Sequence, residues 1–298
     1  MKKFMFMRNV FFFFILTFNI LSFANLKIMT TTPNLKSLVE NLSLDSTKVS
    51  SIALGTQDPH FIEAKPSYAV KLRSTDLLVN IGLDLENAWL PLIISKSKNQ
   101  KLRKNGSSRL ELGDFIQPLD HGHSHSRAHG DVHPNGNPHF MLSPKVVLQL
   151  SNKVTSKLIE MDPSNKEIYN QKNKTFKAKL EKLFQESKAK IQPDLKVVSY
   201  HKTLTYFYKD FGVNNIEVLE PKPGVPPTAK HIMNVIKKMK SQNVKKIIIE
   251  NYFDPSVSKK IIEQVKGSKV HIVPVSVDGN KKVKDIFQLY QALVTALE

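Results

Sequence analysis

Along this 298-residue chain, short apolar or β-branched runs alternate with longer stretches whose apolar residues recur every three or four positions. Runs of the first kind predict strands and stretches of the second kind predict helices. In the first half the strands fall at residues 26–30, 49–53 and 77–80, with helices at 34–41, 66–73 and 85–95. In the second half the strands fall at 197–200, 244–249 and 270–275. Helices follow there at 203–210, 228–240, 256–266 and 283–297, and Thr228 is placed to cap its helix after the rigid segment P-K-P-G-V-P-P. Strand–helix alternation of this kind predicts parallel sheets wound with helices.

A long helical tract separates the halves. Residues 144–161 read as one helix, and Asp162-Pro163 breaks it. A glycine-free, Lys- and Glu-rich helix over 164–191 follows, about 40 Å long at 1.5 Å per residue, which suits a stiff connector. The expected fold is therefore α/β, two doubly wound lobes with parallel sheets joined by one long rigid helix. The expected boundaries are 25–163 for the N-terminal lobe, 164–191 for the linking helix and 192–298 for the C-terminal lobe.

The first residues carry Lys2, Lys3 and Arg8, then an apolar run over 10–21, then Ser22 and Ala24 at the −3 and −1 positions of a cut. This is the layout of a secretory signal peptide, and the apolar run is short for a bilayer span. Cleavage after Ala24 leaves 274 residues (298 less 24), a length for two domains. The chain has no cysteine, so disulfides are excluded and an exported form without a lipid anchor is expected, periplasmic in a two-membrane bacterium. The formal charge is +18, yet the cations are nearly all lysines scattered over helices, which reads as a solvated surface rather than a nucleic-acid stripe.

The chemistry is concentrated in histidine. Six of ten histidines lie between His121 and His139, five of them in a loop rich in Gly, Ser, Pro and Asn that spans 120–138. His121, His123, His125, His129 and His133 lack helical spacing, so they form an auxiliary set able to collect metal loosely. Without cysteine, a zinc site must use imidazole and carboxylate. In open parallel sheets, ligands sit beyond the carboxyl ends of strands. His60 follows the second strand, His201 directly follows strand 197–200, His139 closes the His-rich stretch and Asp278 follows the last strand. Three imidazoles and one carboxylate make a tetrahedral zinc set. Glu250, after strand 244–249, is a competing carboxylate, and water is a further fourth ligand. His231 and His271 read as ordinary hydrogen-bonded residues.

Five segments carry a family resemblance: D-P-H-F-I-E-A-K-P-S (58–67), N-P-H-F-M-L-S-P (137–144), S-Y-H-K-T-L-T-Y-F (199–207), E-P-K-P-G-V-P-P (220–227) and I-I-I-E-N-Y-F (248–253). The chain resembles the zinc and manganese solute-binding proteins of bacterial ABC importers. That resemblance implies two α/β lobes joined by a long helix, with metal held between them by His60, His139 and His201, and a fourth ligand at Asp278. The second motif commonly reads D-P-H-x-W-L-D-P, so Asn137, Phe140, Met141 and Ser143 are departures. Manganese-directed members typically carry a carboxylate where this chain has His201, and imidazole suits zinc, nickel and copper better than manganese.

The resulting expectation is a monomeric carrier that captures Zn2+ outside the cytoplasm and delivers it to a membrane permease, with no nucleic acid partner and no catalysis. The alternatives are manganese or another divalent metal, a secreted adhesin, and a zinc hydrolase with Glu63 as base. No H-E-x-x-H motif or nucleophile motif supports the last.

Overall fold

The computed structural model describes residues 26–120, 134–220 and 224–298. The predicted signal peptide and His121, His123, His125, His129 and His133 lie outside the described residues.

Two four-stranded, all-parallel sheets are present. The first comprises β1 (Lys27–Thr30), β2 (Lys48–Ser51), β3 (Leu77–Asn80) and β4 (Arg109–Glu111), in the order β2-β1-β3-β4. The second comprises β5 (Lys196–Ser199), β6 (Asn214–Val218), β7 (Lys246–Glu250) and β8 (Lys269–Val273), in the order β6-β5-β7-β8. Each sheet thus reverses its winding at one switch point, between β1 and β3 and between β5 and β7. The crevice at the carboxyl ends of such a pair is where this topology places ligands.

Helices α1 (Pro33–Leu42), α2 (Pro66–Arg73) and α3 (Leu90–Ser97) belong to the first half. Then come α4 (Pro144–Met161) and α5 (Lys166–Lys188), followed by α6 (Thr205–Phe211), α7 (Ala229–Ser241), α8 (Ser256–Gln264) and α9 (Ile286–Leu297). Thr32 caps α1 ahead of Pro33, and its hydroxyl accepts from the Leu35 N–H. Thr228 caps α7 as its sequence predicts, accepting from the His231 N–H at 3.2 Å.

Two expectations are corrected. The predicted helix over 85–95 starts later, at Leu90. Gly82, Leu83 and Asp84 all adopt positive φ, and the Glu86 carboxylate accepts from the Ile81 and Gly82 N–H groups at 2.8 and 2.9 Å, which holds the chain in turns. Edge strands β4 and β6 were not predicted. R-L-E has one apolar residue, and β6 opens on two asparagines beside a register shift at Val197/Val198. The predicted helix over 164–191 contains α5, 23 residues or about 35 Å. Tyr169, Phe176, Leu180 and Phe184 are buried along one face, and α5 packs against α1, α4 and α9. Its start is pinned where Asp162 accepts from Asn165 Nδ2 (2.7 Å) and the Tyr169 hydroxyl (2.8 Å).

One apolar core runs through both halves. It includes Leu35, Val79 and Leu112 from the first sheet's side and Val197, Phe207, Val275 and Leu293 from the second. Smaller clusters around Leu72, Trp89 and Ile93, and around Met239, Ile247 and Ile261, cover the outer faces. At about 1.5–3 kcal/mol for each fully buried large apolar side chain, this shared core holds the facing strand ends in place. Among the described residues no helix is long and apolar enough to cross a membrane.

Candidate metal centre

Each histidine is delivered by a short, fixed segment at a sheet edge. His60 lies in the turn after β2, where Trp89 Nε1 donates to the Pro59 carbonyl at 3.0 Å. Five residues earlier, Gly55 touches the other half: a Cβ there would stand 2.1 Å from the Val277 carbonyl oxygen, so only glycine fits. Asn251, just past β7, clips the same contact by donating to the Gly55 and Gly279 carbonyls at 3.3 and 3.2 Å. His139 precedes a single 3-10 turn, Phe140–Leu142, that leads into α4. The cap of α4, Ser143, donates to Asp210 at 2.5 Å and so ties that helix to α6. His201 follows β5 and opens the 3-10 turn Lys202–Leu204.

The structure brings these three rings together. Centroids are 5.2 Å apart for His60 and His139, 5.8 Å for His139 and His201, and 6.3 Å for His60 and His201. Imidazoles bound tetrahedrally at about 2.0–2.1 Å would have centroids about 5.2 Å apart. The observed triangle is within about an ångström of that value, a gap that small rotations of the rings can close. Among the described residues, no set of three or more His, Asp or Glu side chains is already arranged to hold an ion.

Two rings have a carboxylate behind them. His60 Nδ1 lies 2.6 Å from Asp58 Oδ1, which also accepts the His60 backbone N–H at 3.0 Å. His201 Nδ1 lies 3.0 Å from Glu220 Oε2, while Glu220 Oε1 accepts the Gly224 N–H at 2.8 Å. The hydrogen bond to Asp58 fixes the His60 ring's orientation and tautomer and makes its Nε2 the nitrogen a metal would take, while Glu220 stands beside His201 Nδ1 as a negative charge.

The surroundings are strongly anionic. Burial works against a charged His201 ring, but the Glu220 contact and the charges of Glu250, Glu220 and Asp58 outweigh it, and the pKa is raised. Burial opposes ionisation of Asp58 too, yet its contacts with His60 and the His201 charge hold its carboxyl below the usual range. Glu250 is 1% exposed, and burial pushes its carboxyl up. Neither Glu250 oxygen has a hydrogen-bond partner among the described groups. A buried carboxylate of this kind is costly unless a cation offsets it. A cavity of about 50 Å³ lies against His139 where the halves meet, lined by Thr32, Leu142, Thr203 and Tyr252 among others. It exceeds the about 10–15 Å³ that a water needs.

Asp278 is not brought to the cluster, which corrects the expectation of a fourth ligand there. It sits in a turn with φ +57, its N–H donates to the Val283 carbonyl, and its exposed carboxylate pairs with Lys284 at 2.8 Å. Glu250 instead emerges at the β5–β7 switch point. Ser199 opposes Ile248, so two further residues place His201 opposite Glu250. Of the two histidines read as ordinary residues, His231 Nε2 contacts the Val218 carbonyl at 2.8 Å, and His271 lies within β8. The roles of Asp58 and Glu220 were not foreseen. The D-x-H spacing at 58–60 was the available signal for the first.

Histidines converging at the facing strand ends of two parallel sheets, with acidic groups behind them, define the class of metal-capturing, substrate-binding components of importers. The chain belongs to the family described as zinc-uptake complex component A periplasmic (ZnuA), whose sequence pattern matches residues 28–298. A manganese ABC transporter substrate-binding lipoprotein PsaA from Streptococcus pneumoniae is 27% identical over 79% of this chain and 75% of its own length. An iron ABC transporter substrate-binding lipoprotein MtsA from Streptococcus pyogenes is 26% identical over 77% of this chain and 73% of its own. Both are named lipoproteins. A crystal structure of ZnuA shares the fold, with a TM-score of 0.76 and 24% identity over 92% of this chain and 99% of that one. The protein is thus the metal-binding, extracytoplasmic component of an ABC importer, and its protein partner is the membrane permease.

Proposed function

We propose that the protein captures zinc in the periplasm with His60, His139 and His201 and hands it to its permease. The observation that carries this reading is the triangle of three imidazoles with centroids 5.2–6.3 Å apart at the facing sheet edges. Family membership leaves the metal open, since relatives are named for manganese and iron. The donor set discriminates: imidazole nitrogens suit zinc, whereas manganese prefers oxygen. The fourth position goes to Glu250 or to a water in the adjoining cavity. Glu250 is favoured because Glu220 and Asp58 are already engaged by His201 and His60.

The cycle needs binding and release only. Neutral imidazoles take the dication, the carboxylates behind them strengthen the field, and the auxiliary histidines between His121 and His133 raise the local zinc concentration. Because one core runs through both halves, release proceeds by local adjustment of the ligand segments and not by a wide hinge. The test is calorimetric titration of the protein with zinc and, separately, manganese. One tight zinc per cleft, with manganese much weaker, is the expected result. Tighter manganese binding overturns the zinc assignment.

A further inference from the structure

Asn137 is 4% exposed, and each of its polar groups is engaged. Its Oδ1 accepts the His139 N–H at 3.0 Å. Its Nδ2 donates to the Lys202 carbonyl at 3.0 Å and to Asp120 Oδ2 at 3.2 Å. Its backbone N–H donates to the Leu119 carbonyl at 2.8 Å, and its carbonyl accepts from the Tyr206 hydroxyl at 2.8 Å. Only one orientation of the amide fits. Turned over, it would set NH2 against the His139 N–H and its oxygen against a carbonyl and a carboxylate.

These bonds have a particular direction through the molecule. His139 belongs to the first half and lies two residues from Asn137. Lys202 belongs to the second half and directly follows His201. The amide is therefore a two-sided clasp between the backbone segments that carry two of the three rings, one from each half.

We infer that Asn137 is a positioning residue for metal capture: its side-chain amide sets the spacing between His139 and His201. This rests on the proposed function, since the spacing matters only if both rings take one ion. The amide chemistry is essential to it. An aspartate of the same shape would still accept from the His139 N–H, but it would have no hydrogen to give Lys202 and would face the Asp120 carboxylate as a like charge. The His139 segment would stay oriented while its tie to the His201 segment opened.

The test compares Asn137→Asp, Asn137→Ala and Tyr290→Phe in the full chain. Tyr290 is a control because its hydroxyl makes another buried bond between the halves, to the Met141 carbonyl at 2.8 Å, without touching the clasp. Zinc affinity is read by competition with a chromophoric chelator. The visible absorption spectrum of the cobalt-loaded protein reports the geometry around the ion. Both Asn137 variants should lose about tenfold or more in zinc affinity, in the range typical of outer-shell partners, and should shift the cobalt bands. Tyr290→Phe should leave both readings near wild type even if it melts earlier. Adding Asp120→Asn to Asn137→Asp removes the repulsion and should recover part of the affinity. Should Asn137→Asp fail to fold, Asn137→Ala, which adds no charge, gives the same readings. Wild-type affinity and spectrum in the Asn137 variants overturn the clasp, as does an equal loss in Tyr290→Phe. His60→Ala is measured alongside: if it weakens binding while the Asn137 variants do not, only the clasp falls. If it has no effect, the metal site falls with it.

Discussion

Glu220 and His201 are lateral neighbours at the ends of adjacent strands, with Glu220 Oε2 3.0 Å from His201 Nδ1. The β5–β6 register sets this up: Ser199 opposes Val218, and the Glu220 N–H continues the ladder to the Tyr200 carbonyl at 2.8 Å. The sheet itself therefore aims the ring. Glu220→Gln keeps the shape but removes the negative charge beside the ring. Zinc affinity should drop about 10–100-fold, with the secondary structure by circular dichroism unchanged. Asp58→Asn should act the same way on His60.

His60→Ala and His201→Ala each remove a nitrogen donor outright. Each should cost more than those outer-shell changes, that is, more than about 100-fold in zinc affinity by competition titration. Unchanged affinity in either variant would remove the site.

The two candidate carboxylates make opposite predictions. Glu250→Gln removes a buried charge beside His201 and should weaken zinc binding about tenfold or more. Asp278→Ala removes only a surface pair with Lys284, whose partners are 51% and 62% exposed, so affinity should stay within about twofold and stability within about 1 kcal/mol. A reversed ranking in a calorimetric series would return the fourth position to Asp278.

Glu86 supplies a stability prediction at the other switch point. It is 3% exposed and accepts from the Thr31 hydroxyl at 2.6 Å as well as from Ile81 and Gly82, joining the ends of β1 and β3. Glu86→Ala should cost about 3 kcal/mol by urea unfolding, because buried donors lose their acceptor. Burial raises its pKa above the usual 4.5. The folded state therefore holds the proton more tightly than the unfolded one. The stabilisation from that proton is complete below about 4.5 and fades as pH climbs through the folded value. Glu86→Gln carries no such dependence, so its deficit against wild type should shrink between pH 4 and neutrality, on the order of the proton linkage.

Much of this arrangement was legible in the sequence. The helix Pro66–Arg73 and strand Leu77–Asn80 follow from apolar spacing and a leading proline, and the Thr228 cap from its side chain. The placement of His60 and His201 follows from one rule about strand ends in parallel sheets, whereas His139, which follows no strand, was marked by the N-P-H-F segment that carries the family resemblance. What was hidden depends on the third dimension. Strands β4 and β6 are edge strands stabilised by pairing on one side, so their few apolar residues give a weak signal. Asp278 lies at the correct strand end, but it sits in a left-handed turn with its carboxylate exposed beside Lys284, and the Asp278-Gly279 pair was the available signal for that turn. Asn137 looked like a departure from a motif. Its role appears only once Lys202, 65 positions away, is found at its amide.

The shared interior described above also governs how the molecule comes apart. Leu35 and Leu293 contribute to the same oily mass, so neither half has a complete interior of its own. Heating should give a single calorimetric peak, and zinc should move that whole peak upward. Either half expressed alone would expose the surface its sibling normally covers, and would aggregate instead of serving as a miniature carrier.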